Sequence, residues 1–236
     1  MPFSHAWPDS TARSLLPWIL LGATAGCGAQ TRDVTGEIAV SSDLTERGFQ
    51  TPIRRPIVQG LITLYDATGW SAGAVLGMQT NGRRYGRAIV RLAYDGVLSN
   101  DWQYQAVTQY YAYPDNPTAQ LLDRLETALS FSYRDLITAG ASVFHYPHTR
   151  DAARPMRWAV DLGGRLPIDE QFSLTGTIGL AQVRPQGRYA YGSVGAAWRQ
   201  GPWRASLSYL ATDDRAQSVY PGNTAGHWSF MWARSF

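Results

Sequence analysis

From Gly36 to Phe236 the chain alternates apolar and polar residues with period two, in runs of about eight to twelve residues each bounded by Gly, Pro, Asn or Asp. The runs are 36–44, 57–66, 70–78, 87–95, 102–113, 124–133, 136–146, 156–166, 172–181, 189–199, 203–212 and 227–236. Period two is the signature of strands with two unlike faces, so twelve strands are expected and no helix of consequence. Pro52, Pro56, Pro114, Pro117, Pro147, Pro155, Pro167, Pro185, Pro202 and Pro221 all fall between runs, where a missing backbone donor does not interrupt a ladder. Connections after even-numbered runs are short, such as Ala67–Gly69, Arg134–Asp135 and Gln200–Pro202. Those after odd-numbered runs are mostly longer and more charged, such as Thr45–Pro56, Pro147–Pro155 and Asp213–Gly226. An even number of strands of about ten residues, with short turns on one rim and long loops on the other, predicts an all-β, antiparallel up-and-down transmembrane β-barrel of about 12 strands.

Which face meets lipid follows from the alternation. Leu125, Thr127, Leu129, Phe131 and Tyr133 oppose Glu126, Ala128, Ser130 and Ser132, and Trp158, Val160, Leu162 and Leu166 oppose Arg157, Asp161 and Arg165. A soluble β-sandwich would alternate too, with its apolar faces turned together. Two features favour the barrel. Trp70, Trp102, Trp198 and Trp203 stand at strand ends beside the short turns, where an amphipathic ring suits a membrane interface. The opposite face mixes Gly, Ser and Thr with large charges, which suits a wet interior. Composition agrees: only 17% of residues are charged, against nine Trp, thirteen Tyr and seven Phe. No stretch of the chain from Gly36 onward reaches the roughly 18 apolar residues of a spanning helix.

Residues 1–29 read as a secretory signal. His5 and Arg13 precede the apolar run Leu15–Leu21, and small residues follow to Ala29. Ala23-Thr24-Ala25 offers cleavage after Ala25, whereas Ala25-Gly26-Cys27 resembles a lipobox in which the chain is cut before Cys27 and Cys27 is lipidated. Cys27 is the one cysteine, so no disulfide can form within a chain. Residues 36–236 are then a single barrel domain. At the other end, Trp228, Phe230, Trp232 and the terminal Phe236 recur at alternate positions, and the pattern resembles the assembly signal by which bacterial outer-membrane barrels reach their assembly machinery. Arg234 departs from it, though a long Arg near the rim can carry its head to water.

The stretch Ser42-Asp43-Leu44-Thr45-Glu46-Arg47-Gly48, then Pro56-Ile57-Val58-Gln59-Gly60 and Ser71-Ala72-Gly73, resembles the opening of the TorF-family porins of proteobacteria. Tyr110-Tyr111-Ala112-Tyr113-Pro114 and Glu126 resemble that family's middle segment. Sequence likeness spans about residues 36–146 and is architectural beyond. Leu44 replaces the usual aromatic, and Glu46 the aromatic before Arg47, so the first loop is expected to make a different contact here. The resemblance implies an integral protein of the bacterial outer membrane, in contact with its lipid, that passes small solutes.

By alternation Arg87, Arg91 and Asp95 share one inner wall, and Arg157, Asp161 and Arg165 another, with Glu126, Glu37 and Asp43 supplying opposite charge. Residues four apart on a strand are separated by about 13 Å, so each trio makes a ladder and not a point site. Either the arginine forks draw anionic solutes along a track, or they pair with the acids and hold a narrow lumen together. Phe144 and Trp198 would narrow it if they point inward. The leading expectation is a passive porin-like channel, with a non-conducting structural or adhesive barrel as the alternative. His227-Trp228-Ser229 has the spacing of a barrel lipid hydrolase, but alternation turns His227 and Ser229 inward, so no catalysis is expected. His145 and His148 flank Pro147 without further ligands, and neither a metal nor a cofactor is expected. A net charge of +3, spread over the whole chain, excludes a nucleic-acid stripe. The sequence leaves the oligomeric state open.

Overall fold

The computed structural model describes residues 33–50, 55–80, 86–114, 119–148, 157–184, 187–219 and 226–236. The proposed signal and Cys27 lie outside them. The strands are β1 (Asp33–Ser41), β2 (Thr45–Glu46), β3 (Phe49–Gln50), β4 (Ile57–Tyr65), β5 (Trp70–Gln79), β6 (Gly86–Val97), β7 (Trp102–Ala112), β8 (Arg124–Tyr133), β9 (Ile137–His145), β10 (Arg157–Pro167), β11 (Phe172–Arg184), β12 (Gly187–Gln200), β13 (Trp203–Thr212) and β14 (His227–Ser235). A 3-10 turn (Ala119–Leu122) and one short helix, α1 (Asp214–Val219), lie in long loops.

β1 and β4 to β14 form a closed twelve-stranded barrel in which every neighbour is antiparallel and consecutive along the chain, apart from the β1–β14 seam and the β2–β3 hairpin set between β1 and β4. Closure removes all sheet edges, which no water could satisfy inside a bilayer. At the seam Gly36 N donates to Phe236 O and Phe236 N to Gly36 O, both at 2.9 Å, and the Phe236 ring covers Gly36. A Cβ on Gly36 would lie 2.6 Å from ring atom Cζ, so this close approach requires glycine.

The outer face is apolar along its length: Val34, Ile38, Ile62, Leu76, Val90, Leu129, Leu162, Ile178, Val194 and Leu207 are all exposed there. At the short-turn rim the aromatics pair, Trp70 with Tyr94 at 5.1 Å, Trp102 with Tyr133 at 5.2 Å, and Trp198 with Trp232 at 5.7 Å. Trp198 therefore points outward and does not narrow the lumen. Arg234 rests 5.1 Å from the Trp203 ring at the same rim, which accounts for a charge on this face. Trp228, Phe230, Trp232 and Phe236 are exposed outward, while His227 and Ser229 are buried inward. The outside thus carries the apolar belt and aromatic girdle of a transmembrane barrel.

Strand boundaries differ from expectation in two instructive places. The first run continues to Leu44 in the sequence, but β1 stops at Ser41 and the chain turns into the lumen, because Asp43 finds its partners on the inner face of β14. The stretch 182–188 reads as a loop, yet β11 and β12 run on through a register shift near Gln182 and Arg184 to within two residues of each other. The inner face also differs from a uniformly polar wall. Leu44, Ile57, Val75, Ile89, Tyr111, Tyr113 and Ala119 form one buried cluster toward the long-loop end, and Phe144, Tyr146, Tyr189, Tyr191, Ala216 and Val219 belong to another. The apolar residues of this chain therefore serve the inside as well as the outside.

Candidate functional site

The β2–β3 hairpin folds back into the barrel and crosses the lumen. Glu46 meets Arg87 of β6, while two residues on, Gly48 lies against Tyr191 of β12 and Thr212 of β13. β6 and β12 stand six strands apart in a ring of twelve, so the hairpin reaches from one wall to the opposite one. Local sequence explains the turn: Arg47 and Gly48 both adopt left-handed backbone, with φ of 46° and 79°. Gly48 also has no room for a side chain, since a Cβ would lie 2.5 Å from Thr212 Cγ2.

The hairpin is held by a charged chain. Glu46 Oε1 accepts from Arg87 Nη1 at 3.1 Å, and its Oε2 accepts from Arg124 Nη2 at 2.5 Å. Arg124 Nε donates to Glu126 Oε2 at 3.2 Å, and Arg47 Nη2 donates to Glu126 Oε1 at 2.6 Å and to Ser142 Oγ at 3.2 Å. Arg87 also donates to Gln59 Oε1 at 2.5 Å. The order Arg87, Glu46, Arg124, Glu126, Arg47 alternates in sign, so each carboxylate lies between two guanidiniums. Aromatic faces flank it: Arg124 sits 3.8 Å from the Tyr111 ring centre and Arg47 4.4 Å from that of Phe144. Burial pulls the Arg47 guanidinium down, but Glu126 outweighs this and holds it above its ordinary range.

A second tie fastens the loop to the last strand. Asp43 Oδ1 accepts from Ser229 Oγ at 2.8 Å and from Thr45 Oγ1 at 3.1 Å, with His227 Nε2 3.1 Å from Thr45 Oγ1 and 3.7 Å from Asp43 Oδ2. The Ser229 hydroxyl is thus directed at a carboxylate inside the barrel, which is a latch and not an arrangement of nucleophile and base facing lipid.

The sequence-chosen wall residues separate into two levels. Arg87 and Glu126 join the charged chain, and Arg91 is buried just below it, in a row that runs Arg91, Gln109, Glu126, Phe144 and Arg157 across β6 to β10. Arg157 lies 4.4 Å from the Tyr146 ring centre. Asp95 accepts from Gln105 Nε2 at 2.7 Å, nearer the short-turn rim. Asp161 lies over Gly140, and Arg165 stands on the inner face near the same rim. Glu37 pairs with Arg204 at 2.5 Å and accepts from Ser235 Oγ at 3.4 Å. Around these lower positions the wall is small and polar, with Thr175, Thr177, Ser193, Ser206 and Ser208 only partly covered.

Glu46, Arg47 and Arg124 were not picked out by sequence reasoning as wall or site residues. Arg124 shares its face with Glu126 two residues on, so parity alone could have placed it. Glu46 and Arg47 sit in a long loop, where Glu46 standing in place of an aromatic signalled a different contact but not its partners. Among the described residues no group of three metal-ligating side chains comes together.

A closed barrel with an apolar exterior and a charged, loop-crossed lumen defines a transmembrane β-barrel. Solved structures agree on the fold. A KdgM porin superposes with a TM-score of 0.55 at 6% identity, covering 86% of this chain and 98% of that one. A KdgM porin in complex with disordered oligogalacturonate gives 0.53 at 6% identity, over 86% and 96%. No protein-family model matches the chain, and no curated protein matches it significantly. The TorF likeness therefore rests on the residues quoted above.

Proposed function

We propose that this protein is a porin-like channel of the bacterial outer membrane, with the long loops outside the cell, for passive passage of small and preferentially anionic solutes. The lower lumen carries the reading: its wall is small, polar and partly open, Arg165 stands on it below the buried Arg91, and of its acids Asp95 is held by Gln105 and Glu37 by Arg204. Arginine stays charged at all relevant pH and offers a planar fork to carboxylates and phosphates. The TorF-like opening residues support the same reading, since Asp43, Arg47 and Gln59 converge inside the barrel instead of on its surface. The outer-membrane location is supported by the apolar belt, the rim aromatics and the terminal Phe236.

One observation favours the second reading, a non-conducting structural barrel: the hairpin and two apolar clusters obstruct the upper lumen. Conductance of the purified protein in a planar bilayer separates the two. Discrete current steps with an anion-selective reversal potential are expected. Absence of steps over a wide range of salts and anions, in a protein that still migrates as a folded barrel before boiling, rejects the channel.

A further inference from the structure

The carboxylate of Glu46 is placed as a bound solute would be. It comes from a loop, it is buried, and each of its oxygens meets a different wall arginine, Arg87 on β6 and Arg124 on β8. Among the described wall strands the acid bonded to these arginines is Glu126, through Arg124. If the hairpin leaves, Arg47 departs with it, and the wall keeps two guanidiniums against one carboxylate.

We infer that Arg87 and Arg124 form a binding site for carboxylate-bearing solutes, that Glu46 occupies it as a tethered stand-in, and that such solutes release the hairpin by replacing Glu46. This rests on the channel reading for its physiological sense, though the replacement itself does not require conduction. The energetics permit exchange. A buried ion pair roughly breaks even against its desolvation, so exchanging carboxylates at the two forks is near neutral, and the cost the solute must meet is set by the hairpin's other tie, Arg47 to Glu126 and Ser142. A group on a short tether acts at an effective concentration on the order of millimolar, so a multivalent carboxylate in that range can compete. Monovalent chloride cannot bridge two guanidiniums with two separate oxygens and should compete poorly. The departures from the TorF pattern fit the same picture: an aromatic at position 46 could not occupy the arginine forks, whereas Glu46 does.

The test uses the full chain in detergent or bilayers, with citrate as the probe and sodium chloride at equal ionic strength and glucose as controls. Trypsin cleavage after Arg47, read by mass spectrometry of the released fragments, reports whether the hairpin has left the lumen. Citrate should accelerate this cleavage on the order of tenfold, the equivalent of losing about one charge-assisted hydrogen bond. Chloride and glucose should leave it unchanged. Glu46→Gln should be cleaved rapidly without citrate and gain nothing from it. In bilayers the same citrate should raise the open time of the wild type. Cleavage that ignores citrate, or that responds equally to chloride, overturns the inference. Accelerated cleavage without any current leaves the inference standing and rejects the channel reading. Should Glu46→Gln fail to fold, the wild-type citrate response decides alone.

Discussion

Arg124 of β8 lies 2.5 Å from Glu46 of the first loop while also holding Glu126 on its own strand at 3.2 Å, so one buried guanidinium joins the wall to the segment that crosses the lumen. The loop is thereby part of the barrel interior, tied by charge in a place that water reaches poorly.

Removing that guanidinium leaves two buried carboxylates short of a partner. Breaking a buried pair typically costs about 3–5 kcal/mol. Arg124→Gln should therefore lower the unfolding free energy by roughly 3 kcal/mol, measured by urea titration of the folded barrel in lipid. Paired with Glu46→Gln in a double-mutant cycle, it should show coupling of at least about 1 kcal/mol. Additive effects would mean that the two side chains do not interact.

Gly48 has both a left-handed backbone and no space for a methyl group. Gly48→Ala costs about 1–2 kcal/mol for the backbone alone, and the added carbon would press on Thr212. The expected result is a barrel that still shifts on boiling but whose Arg47–Gly48 bond trypsin cuts quickly. A variant as resistant as the wild type would show that the hairpin is not seated against β12 and β13.

Arg165 stands on the inner wall below the hairpin, and Arg91 just beneath the charged chain. Replacing both by Ser should move the reversal potential toward cation permeation in a salt gradient, with little change in barrel yield. A drop in stability with unchanged selectivity would assign these arginines to holding the wall together.

Phe236 closes the seam by two backbone bonds and covers Gly36 with its ring. Gly36→Val should collide with that ring and reduce the yield of heat-modifiable barrel on refolding into lipid, and Phe236→Ala should do so by uncovering the seam. Wild-type yields from both would remove Phe236 from any role in closure.

Much of this architecture was legible in the chain. Strand number, the lipid-facing set, the inward turn of His227 and Ser229 and the outward Trp228, Phe230 and Trp232 all follow from parity, because a strand offers its side chains only two directions. The rim tryptophans were equally readable from their places beside short turns. What parity could not reach was depth and partner. Arg87 and Arg165 both turn inward by parity, yet one is locked into a chain of ion pairs and the other lines the small polar wall lower down.

The first loop marks the boundary most clearly. Local sequence placed a long connection over Thr45–Pro56, and Gly48 supplies one of the two left-handed positions on which its turn depends. Nothing local determined that the turn would point inward. That was decided only when closure brought β6, β8 and β14 around a common space, so that Arg87, Arg124, Ser229 and His227, distant along the chain, faced Asp43 and Glu46 across a few ångströms. The alternation of the sequence settles which way each strand faces because it is a property of neighbours along the chain. The fate of a charged loop depends on charges brought together by the ring, and these exist as a site only once the barrel has closed.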